Sequence, residues 1–374
     1  MKILFVAPRF HTNLYFPLKA LIQKGHDVRL AVSYVGKIEY HDFATPEILG
    51  YSVLFTLTDK LIGRFTDRRI KGIWGLSFAL PSIRKLWKLL SSYRPDVIIL
   101  KDHLSLLVLS VTFFARLLSI PTIILTQTSK NHIIGSHFLL KFYLLVLKLN
   151  GVNAFMTPTL RTKVALESIG VRNVHYVPFV VETEEFEKEY VSHGIIRLLS
   201  IGKFIQRKDH LILLKALSAL KTKYPLKLTL IGERVDEDYL IECLAFIKEN
   251  HLEEDVSIQY ELPFESIRTV YREHDIFILP SYDEPAAVSL VEAMSHKLPV
   301  IVSTDCGTNC YVTPGVNGFI FEARTLGDLI DKVEKFCADS STIKQMGKNA
   351  FDMSKTIHNP SVFIQAIESI VSKK

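Results

Sequence analysis

Apolar residues along this chain come in short runs separated by amphipathic stretches and polar loops. Lys2–Ala7 reads as a buried strand, Pro8–Asn13 as a polar loop and Tyr15–Lys24 as a helix stopped by Gly25. Val28–Val32 follows as a second strand, which makes a βαβ opening. Later strands are expected at Val97–Leu100, after Pro95-Asp96, at Thr122–Thr126, after Pro121, and at Phe155–Thr157 and Val174–Pro178. A second series has strands at Ile196–Ile201, Leu226–Gly232, Val256–Gln259, Ile276–Leu279 and Pro299–Ser303. Helices at Leu211–Tyr224 and Asp238–Asn250 separate them. Strands this short and this apolar, alternating with helices, belong to parallel sheets covered on both faces. The pattern predicts two doubly wound α/β domains, residues 1–185 and 186–355, with a final helix over 356–374 that crosses back to the first domain. The acidic segment Glu182–Glu189 is the expected linker.

Length agrees, since 374 residues exceed what one hydrophobic core usually serves. Four cysteines, at 243, 306, 310 and 337, are too scattered for a disulfide scaffold and read as reduced thiols of a cytoplasmic protein. The start, MKILFVAPRF, lacks the pattern of a secretory leader. Leu104–Ala115 and Phe138–Leu149 are strongly apolar but short of a membrane span, and are expected as buried helices. Mean hydropathy is nevertheless high, at +0.21.

Charge is unevenly divided. Residues 1–180 hold 23 Lys and Arg against 9 Asp and Glu, while the remainder hold 22 against 30. The basic excess is concentrated in Lys60–Arg94, with nine cations, one acid and interleaved Phe65, Trp74, Phe78 and Trp87. Such a stretch suits an anionic membrane surface, a nucleic acid, or a solvated helix face with core aromatics. The membrane surface is the reading kept, and nucleic acid is not expected as a partner.

In doubly wound sheets, ligands sit beyond the carboxyl ends of the strands. Two such loops carry candidate chemistry. After Ile201 comes Gly202-Lys203-Phe204-Ile205-Gln206-Arg207-Lys208. Gly202 permits close approach to the backbone, and Lys203 and Lys208 are placed to converge on one anion ahead of a helix N-terminus. A diphosphate fits there, and so does an ordinary solvated turn. After Leu279, Glu284 sits in a loop and Glu292 about two turns into a helix expected to begin near Ala286. Carboxylates so placed can accept from sugar hydroxyls. Cys306 and Cys310 lack a second ligand pair, so no metal site is expected.

The Gly-Lys…Lys loop followed by Glu-x7-Glu resembles the GT4-type retaining glycosyltransferases of GT-B fold. So do the opening MKILFVAPRF, Gly25-His26-Asp27, Pro95-Asp96, Ile231-Gly232, Asp275–Ser281, Glu292-Ala293-Met294, Leu298-Pro299-Val300 and Asn317-Gly318. The resemblance implies two Rossmann-like domains facing a central cleft. It implies a nucleotide-sugar, UDP- or GDP-linked, on the second domain. Lys203 and Lys208 match the diphosphate-binding cations, Glu292 the acid on the ribose and Glu284 the acid on the donor sugar. Gly202 and the backbone of Ala286, Ala287 and Val288 match the segments that approach the donor. The first domain would take a glycan or lipid-linked acceptor, with His11, Asn13 and Gln127 as candidate contacts and His103 as a candidate catalytic histidine. The family uses neither metal nor cofactor. Cys306-Gly307-Thr308-Asn309 also resembles the cell-surface polysaccharide members, for capsule or lipopolysaccharide, which implies a cytoplasmic protein lying peripherally on the membrane.

Departures from the family are specific. Ala286-Ala287 replace the Phe-Gly that often follows Glu-Pro, and Phe10-His11-Thr12-Asn13 replace a glycine-rich loop. Gln127-Thr128 stand where the family often has a histidine. They keep open a nucleotide-sugar epimerase or hydrolase of the same fold, and a non-catalytic nucleotide-sugar-binding partner.

Overall fold

A computed structural model describes residues 1–35, 43–53, 55–57, 80–101, 105–127 and 137–372. The chain divides into two units, Met1–Pro178 with Ser361–Lys374, and Phe179–Pro360.

Unit 1 is built on a seven-stranded sheet. Its strands are β1 (Lys2–Ala7), β2 (Asp27–Val32), β3 (Glu47–Ile48), β4 (Val97–Lys101), β5 (Thr122–Leu125), β6 (Ala154–Thr157) and β7 (Val174–Tyr176). Their order is β3-β2-β1-β4-β5-β6-β7 and every pairing is parallel. Ile3 pairs with Val28 on one side and Val97 on the other, so β1 has no free edge and is buried from Ile3 to Ala7. The described helices are α1 (Tyr15–Gln23), α2 (Ile83–Tyr93), α3 (Leu106–Leu117), α4 (His137–Leu149) and α5 (Leu160–Ser168). One core cluster joins Leu4, Val6, Ile98, Leu100 and Ile124 of the sheet to residues of α2, α3, α4 and α5, so these four helices cover one sheet face. The apolar segments expected to be buried helices are α3 and α4, but neither is buried all round: Phe113, Leu117, Phe142, Leu145 and Leu149 are exposed. Of the basic stretch Lys60–Arg94, positions 60–79 lie outside the described residues, and its described part, 80–94, contains α2.

Unit 2 repeats the plan with six strands. They are β8 (Ile196–Ile201), β9 (Leu226–Gly232), β10 (Val256–Tyr260), β11 (Ile276–Leu279), β12 (Val300–Ser303) and β13 (Gly318–Phe321). The order is β10-β9-β8-β11-β12-β13, again wholly parallel. Helices α6 (His210–Leu220), α7 (Glu237–Glu249), α8 (Phe264–Glu273), α9 (Val288–Ser295), α10 (Leu326–Ala338) and α11 (Ser341–Thr356) alternate with them. A last helix, α12 (Pro360–Ser372), groups with unit 1 from Ser361 onward, and there the His26 ring lies 3.5 Å from Glu368. Glu182–Glu189 is not a free linker. Glu184 pairs with Arg272 at 2.9 Å, Glu185 with Lys355 at 3.0 Å, and Lys188 donates to the carbonyls of Tyr271 and Arg272. Opposite charges on unit 2 hold the segment down.

Strands β3 and β13 escape the sequence pattern because both are short edge strands and only partly buried. In the middle of the sheet the constraint is tighter. A Cβ on Gly232 would stand 1.9 Å from the Gly202 carbonyl oxygen, so only glycine lets the end of β9 lie against the loop after β8. Gly232→Ala is expected to lower stability by about 1–3 kcal/mol through overpacking. Gly327→Ala in α10, where nothing lies within 4 Å, is expected to be neutral or slightly stabilising. Urea midpoints of the two variants check this, and equal midpoints would refute the close-approach argument.

Candidate functional site

The carboxyl edge of the unit 2 sheet gathers the loops after β8, β11 and β12. After β8 the chain makes a short 3-10 turn, Gln206–Lys208, and turns through Asp209 at φ +49° into α6. The absent Cβ at Gly202 leaves room for the Lys208 stem, whose Cδ would otherwise stand 3.1 Å away. Lys208 is thereby folded inward, and its Nζ donates to Glu284 Oε2 at 2.6 Å. Arg207 donates from Nη1 to the same oxygen. Glu284 is 5% exposed and the Lys208 side chain 11%, while Arg207 reaches solvent at 38%. One carboxylate therefore meets two cations, and the cluster retains an excess of positive charge in a partly desolvated place.

Backbone bonds fix this cluster. Tyr282 N–H donates to the Arg207 carbonyl at 2.9 Å, which ties the β11 loop to the β8 loop. Gly307 N–H donates to the Glu284 carbonyl at 2.8 Å, which ties in the loop after β12. Asp283, at φ +44°, donates its N–H to Asp305 at 2.7 Å. Cys306 is fully buried within hydrogen-bond distance of Thr308, and burial pushes its thiol up to about 12, so it serves packing. Cys310 donates to the Gly307 carbonyl.

Helix α9 begins at Val288, slightly later than expected, because Ala286 is still loop and Ala287, the N-cap, is extended. Its N-cap is Ala287, which offers no side-chain acceptor, and its first turn contains no acid. The first N–H groups of α9 are thus without a capping side chain, a terminus that favours an anion. Glu292, one turn further on, accepts from the Tyr271 hydroxyl at 3.0 Å, and burial raises its carboxyl to about 7.

The sequence-predicted residues do not all meet. Glu284 and Lys208 are in contact. Lys203 has a different partner: its Nζ pairs with Glu233 at 2.8 Å, near the surface, so Lys203 and Lys208 sit in two separate ion pairs of one loop. In unit 1, Asn13 accepts from Lys101 Nζ at 2.7 Å, and Lys101 is 4% exposed at the end of β4. Gln127, at the end of β5, has a buried amide nitrogen without a hydrogen-bond partner among the described residues. His11 precedes the 3-10 turn Thr12–Leu14, and its carbonyl accepts from Leu14 N–H. His103 lies outside the described residues. Sequence reasoning passed over Arg207, which stands beside Lys208, and Lys101, whose burial no pattern announces. It also passed over His210, whose ring nitrogen Nε2 lies 3.1 Å from the Gly202 carbonyl. Burial, with Lys208 nearby, holds that imidazole down at about 3, so it is neutral and steadies the loop by donating to the carbonyl.

Two outcomes test this geometry. Glu284→Ala should cost about 3–5 kcal/mol, because it strands a buried lysine, and adding Lys208→Ala should recover part of that loss. Strict additivity in thermal or urea unfolding would dissolve the proposed cluster. For Glu292 the folded carboxyl titrates above its unfolded value of 4.5. The folded state thus holds its proton more tightly, and stability present below about pH 4.5 is lost as pH rises toward 7. Glu292→Gln removes that loss and should gain about 2 kcal/mol on wild type at pH 8 relative to pH 5. A pH-independent difference would show the carboxyl to be solvated.

Residues 181–353 match the family model described as glycosyl transferases group 1. Among curated relatives, the capsular polysaccharide biosynthesis glycosyltransferase CapM of Staphylococcus aureus is 21% identical over 222 residues, 56% of this chain and 55% of that one. The N,N'-diacetylbacillosaminyl-diphospho-undecaprenol alpha-1,3-N-acetylgalactosaminyltransferase of Campylobacter jejuni is 24% identical over 188 residues, 50% of this chain and 48% of that one. Matches to such relatives span 20 to 55% of their length. The structure of Anabaena Alr3699/HepE in complex with UDP superposes with a TM-score of 0.72 at 13% identity, covering 100% of both chains. That likeness establishes the GT-B fold. The matched residues all lie within the second unit, so it is this unit that is similar to the group 1 glycosyltransferases.

Proposed function

We propose that the chain is a retaining glycosyltransferase that moves a sugar from a UDP- or GDP-sugar to a hydroxyl of a glycan or lipid-linked acceptor in cell-surface polysaccharide synthesis. The observation that carries this is the Arg207–Glu284–Lys208 cluster, with its surplus positive charge, on the sheet edge that also bears the uncapped start of α9. Relatives named for capsule synthesis and for a diphospho-undecaprenol acceptor support the acceptor class. A neighbouring structure in complex with UDP supports the donor class.

Each residue then has a task. Lys208, Arg207 and the first N–H groups of α9 receive the donor diphosphate. Gly202 and the Ala286-Ala287 loop backbone, running into Val288, let it approach. Lys203 exchanges Glu233 for an outer phosphate oxygen. Glu292 accepts from the ribose hydroxyls and ionises on binding, since a carboxylate is the better acceptor. Glu284 orients the donor sugar while holding both cations. As the bond from the anomeric carbon to the diphosphate oxygen breaks, negative charge grows on that oxygen, where the fixed cations and helix dipoles stabilise it by a few kcal/mol each. The acceptor hydroxyl adds to the same face and its proton leaves with the phosphate. The cations supply the charge stabilisation, so no cofactor enters the scheme. On the first unit, His11 and Asn13 follow β1 and Gln127 follows β5, one strand apart across β4, and these would meet the acceptor.

A melting panel with UDP, GDP, ADP, CMP and NAD on wild type and Glu292→Ala tests the reading. One nucleoside diphosphate at 100 times its dissociation constant should add roughly 2.7 kcal/mol, and the variant should lose that gain. No shift with any nucleotide would overturn the donor site and favour a degenerate, non-catalytic fold. A shift accompanied by sugar release without acceptor would instead favour the hydrolase or epimerase reading.

A further inference from the structure

Helices α2, α3 and α4 present their outer sides on the same face of the unit 1 sheet, because all three bury their inner sides in one core. Those outer sides are unusual in two respects. Large apolar side chains stand in solvent: Trp87 at 42%, Phe113 at 50%, Leu117 at 60%, Phe142 at 60%, Leu145 at 51% and Leu149 at 57%. In addition, none of the three helices contains an acidic residue, while they carry Arg84, Lys85, Lys88, Arg116, Lys141 and Lys148. Among the described residues no acid pairs with Arg84, Lys88, Arg116, Lys141 or Lys148.

The helices are held together as one surface. The rings of Trp87 on α2 and Phe114 on α3 meet at 5.5 Å, and Phe114 meets Phe113 at 5.4 Å. Asn150, just past α4, donates to Thr112 of α3 at 2.9 Å, and the Tyr143 hydroxyl donates to the Ser105 carbonyl at 2.9 Å. Unit 2 treats its helix surfaces differently. There Lys332 and Lys335 of α10 pair with Asp328 and Asp331, and Lys223, just past α6, pairs with Glu334 of α10.

From this we infer that the outer face of α2, α3 and α4 is a docking surface for an anionic lipid bilayer. The aromatic and leucine side chains enter the headgroup boundary and the unpaired cations lie over anionic headgroups. Among the described residues no helix is long and apolar enough to cross a membrane, so the contact is peripheral. Charge complementarity selects the partner, since a neutral apolar partner would leave these cations unpaired and a basic one would repel them. The inference concerns where the membrane-bound acceptor of the proposed reaction is met, yet it stands on unit 1 alone.

Flotation of the full-length protein with phosphatidylcholine vesicles, with and without phosphatidylglycerol, tests it. Wild type should bind the anionic vesicles at low salt, bind the neutral ones weakly, and release as salt rises. Lys88→Gln/Lys141→Gln/Lys148→Gln should weaken binding on the order of a hundredfold, from about fivefold per cation. Phe113→Ser/Phe142→Ser should weaken it about tenfold or more, even at low salt. Both variants alter exposed side chains, and an unchanged melting temperature certifies their fold. Wild-type binding that survives both variants would overturn the inference, because other cations of the chain would then be responsible. Absence of wild-type binding, or a concentration-dependent dimer dissolved by Phe113→Ser/Phe142→Ser in its place, would overturn it too. The nucleotide-induced melting shift, read on the same samples, reports on unit 2 independently, so loss of one result does not stand for loss of the other.

Discussion

The organisation of unit 2 depends on one carboxylate. Glu284 sits nearly out of solvent and must neutralise Lys208 at 2.6 Å and Arg207 as well. Removing charges from water is expensive, so such a cluster persists only where geometry is held from several sides. Here it is held by three loops: the turn after β8 delivers the cations, the loop after β11 delivers the carboxylate, and the loop after β12 bonds to the Glu284 carbonyl through Gly307. The glycines at 202 and 232 are the backbone counterpart of the same requirement. One makes space for the Lys208 stem, and the other lets β9 close against the loop. Because two cations share one carboxylate, the neutrality of the cluster is incomplete until an anion arrives.

Much of this was legible in the sequence for simple physical reasons. Strands buried on both faces are runs of Val, Ile and Leu, and β1, β8 and β11 could be found with almost no error in their bounds. Glu284, Lys208 and Glu292 stand out because charged residues next to apolar strands need a reason. Spacing does not give side-chain direction. It sets Lys203 and Lys208 in one loop, where the turn at Gln206–Lys208 folds Lys208 inward to Glu284 and Lys203 pairs with Glu233. Burial of Lys101 at the end of β4 is likewise a product of packing. The acidic stretch near 185 looked like a tether because acids in loops usually are; its partners, Arg272 and Lys355, are 88 and 170 positions away.

The histidines near the site show how burial restricts the chemistry. His210 is held down at about 3 and His296 at about 4, both mainly by desolvation. Neither carries charge near neutrality, so each acts through a fixed hydrogen bond: His210 toward the Gly202 carbonyl and His296 toward the Glu292 carbonyl. Positive charge beside Glu284 therefore comes from Lys208 and Arg207, with Lys203 in the same loop. A site built this way answers to anionic ligands and is indifferent to histidine titration. Glu292 is the exception, since a carboxyl raised to about 7 can be ionised by a ligand that donates hydrogen bonds to it.

The same reasoning explains why charge is divided so unequally along the chain. In unit 2, cations on α10 are matched by acids on the same helix, so their fields cancel over short distances. In unit 1, the helices α2, α3 and α4 carry cations without acids, and the field adds up across a surface instead of vanishing within it. Their apolar side chains would be a liability on a face meant only for water. Cations and exposed aromatics on one acid-free face are reconciled by a single kind of neighbour, one that is anionic at its surface and apolar beneath.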